Sequence, residues 1–267
     1  MYPHHRESLE IMKKHFEEQG NVIALIFGGS VAKGCERPDS DLDCMVVLSE
    51  EDYAKREREH TTAETIGGLC TYEGGYFDVK YMAKSFLQDA ADHGSKSARN
   101  AFDKAQVLFT RDSEIPEIVS HIAVFQREEK ADKLLSFFAD LWLNYYYFLK
   151  SCPLDGYMRL HAVNEVIYSV YRITLQEQEI LFPSNRRLQE FVAAVSPEAK
   201  RLTDLGDRLA QTQQVEDADA FVNYFYQITS CEIPKDMPPS SPATPQILSS
   251  GGESPALSSR TRGIWEG

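Results

Sequence analysis

Between Val22 and Leu48 the chain reads VIALIFGGSVAKGCERPDSDLDCMVVL: two apolar runs joined by a polar segment that opens on paired glycines. Apolar runs this short, bounded by turn signals, read as buried strands of a sheet. The first strand delivers the chain into Gly28, Gly29 and Ser30. The glycines allow a ligand to approach the backbone closely, and Ser30 is placed to cap a short helix expected over Ser30 to Gly34. Exposed amides at such a helix start suit an anion, and a phosphate above all. On the second strand Asp41 and Asp43 take one face, while Leu42 and Cys44 take the other. Two carboxylates that close repel each other unless cations lie between them. Beside a phosphate-binding turn they suggest a divalent metal, most simply Mg2+ held between carboxylates and substrate phosphates.

A third carboxylate lies in the later run GGYFDVKYM, another expected strand, where Asp78 sits between Phe77 and Val79. Strand propensity alone would not select an aspartate there. If the two strands are neighbours, Asp41, Asp43 and Asp78 can hold two metal ions about 3.5–4 Å apart, the arrangement that steadies attacking and leaving oxygens at phosphorus. Asp39 follows Pro38 and belongs to the turn before the strand, where it caps or pairs with Arg37 or Lys33.

The stretch GGSVAKGCERPDSDLDCMVV resembles the signature of the DNA polymerase β-like nucleotidyltransferase superfamily: Gly29-Ser30, ten residues from Val31 to Ser40, then Asp41-Leu42-Asp43. Ala32, Gly34 and Ser40 match the small residues usual at their places. Within the superfamily the chain is most similar to the branch of aminoglycoside and lincosamide nucleotidyltransferases and the minimal nucleotidyltransferase antitoxins. The strong similarity covers about residues 24 to 82, and AQVLFTRDSEIPEIV is similar to the segment closing the catalytic domain in that branch. The resemblance implies a nucleoside triphosphate, usually ATP, bound with Mg2+, and transfer of the nucleotidyl group with loss of pyrophosphate. It also assigns metal binding and catalysis to Asp41, Asp43 and Asp78, and leaves Asp39 outside.

The rest of the chain sets these residues in a fold. A helix is expected over about 5 to 19, strands over NVIALIF, LDCMVVL, GGYFDVKYM and AQVLF, and helices over about 50 to 66 and over Ser85 to Ala91. From about Glu114 strand signals give way to helical periods, including LLSFFADLWLNYYYFLK within about 129 to 150 and a helix over about 157 to 180. No internal repeat is visible. The expected fold is α+β: a small mixed β-sheet nucleotidyltransferase domain over residues 1–113, then an all-helical bundle over 114–232. Residues 233–267, rich in Pro, Ser and Gly, read as a disordered tail in which Trp265 is an isolated aromatic.

Composition narrows the partners. No apolar run approaches the roughly 18 residues of a membrane span, and the charged N-terminus lacks the apolar core of a signal peptide. The five cysteines form no CxxC pair and have no histidine at zinc spacing, which reads as reduced thiols and a cytoplasmic address. The formal charge of -13 resides in the folded part and disfavours nucleic acid, while it suits neutral or cationic partners. The oligomeric state is left open.

Three readings of the acceptor follow. The first is a small molecule carrying a hydroxyl or amine, such as an aminoglycoside-like antibiotic, with the helical domain supplying the pocket. The second is a protein side chain, as the resemblance to the antitoxins implies. The third is a non-catalytic nucleotide-binding or interaction protein, which the three retained acids count against. A general base for transfer is sought in YMRLHAVNEVIYSVYRITL, where His161, Glu165, Tyr168 and Arg172 form one stripe, opposite Leu160, Val163, Ile167 and Val170. Glu165 is the candidate, set against an ordinary pairing with His161 or Arg172. In LFPSNRRLQEF, Ser184 or Asn185 is expected to cap a helix with Arg186 and Arg187 in its first turn, where basic residues oppose the helix dipole unless an acid or phosphate is close. Arg187, Lys33 and Lys80 thus join Gly28, Gly29 and Ser30 as candidate nucleotide contacts. The aromatic run with Phe138, Trp142 and Tyr145 or Tyr146 reads as core packing.

Overall fold

The structure is a computed structural model that describes residues 1–231. The expected tail at 233–267, with Trp265, lies outside the described residues. The chain divides into two compact units that meet in sequence at Val124 and Phe125.

The first unit runs α1 (Pro3–Glu17), β1 (Val22–Phe27), α2 (Gly29–Lys33), β2 (Leu42–Leu48), α3 (Glu50–Arg58), β3 (Ala63–Gly67), β4 (Tyr76–Ala83), α4 (Lys84–His93), α5 (Lys96–Ala101), β5 (Gln106–Thr110) and α6 (Ile115–Ile122). Its five strands form one sheet in the order β3-β4-β2-β1-β5. β2 and β4 pair in parallel, and every other neighbouring pair is antiparallel. Alternation along the strands gives the sheet two apolar faces. Leu42, Cys44, Val46, Phe77 and Val79 pack with Leu9, Met12 and Phe16 of α1. Met45, Val47 and Met82 pack with Phe86 and Leu87 of α4 and with Ile118 and Val119 of α6. Asp43 and Asp78 share this second face, beyond the end of its apolar stripe.

Two elements differ from the sequence expectation. The helix expected over 50 to 66 stops at Arg58, and Ala63–Gly67 forms the edge strand β3. β3 is exposed almost throughout, so it carries no apolar alternation to reveal it. The short α5 was not anticipated either; it is capped by Ser95, whose side chain accepts from the Ala98 amide. α6 packs Ile115, Ile118, Val119 and Ile122 into the core of the first unit.

A buried arginine fastens α6 there. Arg99 is 3% exposed and donates from Nε to the Gly94 carbonyl at 2.9 Å, from Nη2 to Ala91 at 2.7 Å and from Nη1 to Ile122 at 3.0 Å. A desolvated guanidinium is tolerated because these carbonyls satisfy it.

The second unit is helical: α7 (Lys130–Trp142), continued as a π-helical segment (Leu143–Leu149), then α8 (Gly156–Glu177), a 3-10 turn (Asn185–Arg187), α9 (Leu188–Ala193), α10 (Pro197–Thr212) and α11 (Val215–Ile228). Phe138, Leu141, Tyr145, Val166, Val170, Leu202, Phe221 and Phe225 form its core. The aromatic run is core packing, with Phe138, Trp142 and Tyr145 all buried. With a mixed sheet and a helical region, the fold is α+β. No helix among the described residues is long and apolar enough to cross a membrane.

Replacing Arg99 with Met should lower the stability of the first unit by about 2–4 kcal/mol, since the substitution strands buried carbonyls. Urea unfolding followed by circular dichroism measures the loss. Lysine should rescue little of it, because one ammonium cannot reproduce the guanidinium fork.

Candidate active site

Parallel pairing of β2 with β4 sets Asp43 directly beside Asp78 and Met45 beside Lys80. Asp41 precedes the first residue of β2, and its carboxylate joins the other two: one oxygen from each of Asp41, Asp43 and Asp78 lies within 4.8 Å of the others. Among the described residues this is the one group of three or more His, Cys, Asp or Glu side chains so arranged.

The glycine turn is shaped around this cluster. The Gly28 amide donates to the Asp43 carbonyl at 3.1 Å, continuing the sheet ladder, so that amide is already engaged. Gly29 has φ +71, and a Cβ built there would stand 1.7 Å from Asp43 Oδ2. Only glycine both adopts this backbone and leaves room for the carboxylate. Ser30 does not cap the following helix. Gly28 is the N-cap of α2, and no side chain caps it, because the helix begins one residue earlier than expected and draws Ser30 into its first turn. Asp39 is turn chemistry, with Arg37 Nε 3.2 Å from its Oδ1.

Two lysines border the acids. Lys80 Nζ is 2.7 Å from Asp78 Oδ2. Lys33 Nζ donates to both the carbonyl and the side-chain oxygen of Asn100, each at 2.7 Å. Burial first, and then the charges of Asp41 and Asp78, push the Asp43 carboxyl up to about 6, against the opposing pull of Lys80 and Lys33. The Tyr76 hydroxyl is likewise raised, chiefly by the charge of Asp41. An all-oxygen donor set whose members repel one another is the environment a hard divalent cation relieves, and the triad is compatible with one.

The remaining candidates lie in the second unit. Glu165 on α8 is partly buried, with Oε1 4.0 Å from His161 Nδ1. Asp140 on α7 faces it: burial first, and then the charge of Glu165, raises the Asp140 carboxyl. Arg172 does not reach Glu165. Its guanidinium lies over the rings of Phe182 at 4.1 Å and Phe137 at 4.5 Å and donates to the Tyr168 hydroxyl. Leu160, expected on the apolar face of α8, is 54% exposed. Arg187 closes the 3-10 turn rather than opening a capped helix, and its Nη2 is 2.7 Å from Glu190 Oε1. Sequence reasoning passed over Tyr76, Asn100 and Asp140. Tyr76 was open to detection, two residues before Asp78 on the same strand; no local signal marks Asn100 or Asp140.

The repulsion has a measurable consequence in metal-free protein. The Asp43 carboxyl keeps its proton up to about pH 6 when folded but loses it near 3.8 when unfolded. Ionising it therefore costs the folded state, in full above about pH 6 and not at all below about pH 4. Asp43→Asn should accordingly stabilise the protein in EDTA at pH 8 by about 1–3 kcal/mol, with the gain fading as pH falls through that window. Thermal melts across the range check this.

A family profile for the nucleotidyltransferase domain matches residues 6–85, which hold the glycine turn and all three acids. A search among curated protein sequences returned no match. Among solved structures the chain is similar to a nucleotidyltransferase-like protein from Exiguobacterium sibiricum 255-15, at 10% identity and a TM-score of 0.42, covering 84% of this chain and 74% of that one. It is also similar to spectinomycin adenyltransferase from Enterococcus faecialis, solved with ATP and spectinomycin, at 13% identity and a TM-score of 0.34, covering 83% of this chain and 99% of that one. Together with the glycine turn, the Asp-x-Asp at the start of β2 and the third acid in parallel register, the matched profile identifies residues 6–85 as a nucleotidyltransferase domain.

Proposed function

We propose that the protein moves a nucleoside monophosphate, AMP from ATP, onto a hydroxyl or amine of a small cationic acceptor of the aminoglycoside-like antibiotic kind, in the cytoplasm. The observation that carries the reading is the close set of Asp41, Asp43 and Asp78 around a glycine turn shaped to their side chains. In this reading the three carboxylates hold Mg2+, as a pair of ions. Bound there, the metal neutralises phosphate charge and stabilises the attacking and leaving oxygens. Gly29 and Ser30 present backbone to the triphosphate, Gly28 shapes the turn, and Lys33 and Lys80 supply positive charge beside it. Arg187 joins them only by exchanging its bond to Glu190 for one to phosphate.

The acceptor oxygen or nitrogen attacks the α-phosphorus, the bond from that phosphorus to the bridging oxygen breaks, and pyrophosphate leaves. Glu165 takes the acceptor proton as general base. Two features support a cationic acceptor. The chain carries a formal charge of -13, and Asp140 and Glu165 place neighbouring carboxylates on α7 and α8, an arrangement an ammonium group would relieve. Five free cysteines suit the reducing compartment.

The test incubates purified protein with ATP labelled at the α-phosphate, Mg2+ and a panel of aminoglycoside-like antibiotics and candidate proteins. Label should pass to a small cationic compound with matching release of pyrophosphate, and an Asp41→Ala, Asp43→Ala double variant should fall to background. Transfer to a protein would replace the acceptor class with that of the antitoxin type. Equal behaviour of wild type and double variant in every panel would leave a nucleotide-binding protein without catalysis. Glu165→Gln should lower turnover by about 10²–10⁴-fold with ATP binding nearly unchanged, and an unaffected rate would remove Glu165 from the mechanism.

A further inference from the structure

Of the three acids, Asp41 is held differently. Asp43 and Asp78 sit inside paired strands, so ladder hydrogen bonds fix their backbones. Asp41 comes before β2 begins, at the end of a largely exposed loop that leaves α2 at Gly34. Something outside the ladder has to set its position. Within that loop the Arg37 amide donates to Ser40 Oγ at 2.9 Å and the Ser40 amide to the Arg37 carbonyl at 3.1 Å, which shapes the turn without anchoring it to the sheet.

The anchor comes from the connection between β3 and β4. Tyr72 Oη donates to the Ser40 carbonyl at 2.5 Å. That carbonyl belongs to the peptide unit joining Ser40 to Asp41, so the hydroxyl holds the plane from which the Asp41 side chain departs. The Tyr72 ring is in turn seated against the start of α1, 4.6 Å from the His4 ring and 5.0 Å from the His5 ring. His4 Nε2 donates to the Pro38 carbonyl at 2.9 Å in the same loop. Thr71, next to Tyr72, donates its amide to Ser8 Oγ at 3.0 Å and its hydroxyl to the His4 carbonyl at 3.2 Å. A Cβ on Gly75 would come within 2.6 Å of the Tyr72 ring, so the loop is folded closely around it.

We infer that Tyr72 is a positioning residue for the metal-binding carboxylates, its hydroxyl holding the Ser40–Asp41 peptide so that Asp41 meets Asp43 and Asp78. This rests on the metal reading above. Tyr72→Phe keeps the ring among the histidines and removes only the hydroxyl. Binding of Mn2+, followed by electron paramagnetic resonance without nucleotide or turnover, should weaken by about three- to tenfold, the worth of one hydrogen bond. The Mg2+ concentration for half-maximal pyrophosphate release should rise by a similar factor. Because the hydroxyl acts through Asp41, Tyr72→Phe should add no further loss of Mn2+ binding in an Asp41→Asn background. Equal Mn2+ affinity of wild type and Tyr72→Phe would overturn the inference while leaving the metal site standing, and so would an undiminished effect in the Asp41→Asn background. A wild-type protein that binds no Mn2+ would overturn the metal reading and this inference together.

Discussion

The first unit is organised around one close approach: the Asp43 carboxylate occupies the space where any residue other than glycine at position 29 would place its Cβ. That contact makes the turn after β1 and the start of β2 a single object. The Gly28 amide reinforces it by bonding to the Asp43 carbonyl, so the end of one strand and the beginning of the next are fixed both by backbone and by the space a missing side chain leaves. Parallel pairing then brings Asp78 to the same level. The apolar layers on both faces of the sheet hold this register, since a shift by one residue would turn every acid into the core and every core residue to the acids.

The arrangement concentrates negative charge at a cost. Burial and two neighbouring carboxylates make Asp43 a poor acid in the metal-free chain, and the nearby lysines offset the repulsion only in part, Lys80 through Asp78 and Lys33 while tied to Asn100. Functional sites commonly carry such perturbed groups, and a bound cation is what would relieve this one. The second unit repeats the theme in milder form, with Asp140 raised by burial and by Glu165. Elsewhere on α8 the Arg172 guanidinium is stacked among aromatic rings.

Much of this was legible in the residues. The runs VIALIF and LDCMVVL read as buried strands, and both form as such; alternation set Asp41 and Asp43 on one face, whereas Asp41 precedes β2, and it is the β2–β4 pairing that puts Asp78 beside Asp43. β3 was hidden because an exposed edge strand carries no apolar alternation. The hold on α6 was hidden because Arg99 reaches carbonyls before and after it in sequence. Tyr72 and Asn100 act on residues more than thirty positions away, and no local pattern announces such contacts. Ser30 misled because a serine after two glycines imitates a cap, while the helix had already begun at Gly29.

The central claim is that Asp41, Asp43 and Asp78 jointly hold the divalent metal used in nucleotidyl transfer. Crystals grown with Mn2+ and a non-hydrolysable ATP analogue test it directly through the anomalous signal of manganese. The expected result is anomalous density bounded by the three carboxylates, with the analogue's phosphates beside the Gly29–Ser30 turn. Manganese density elsewhere in the chain, with none among those carboxylates, would contradict it.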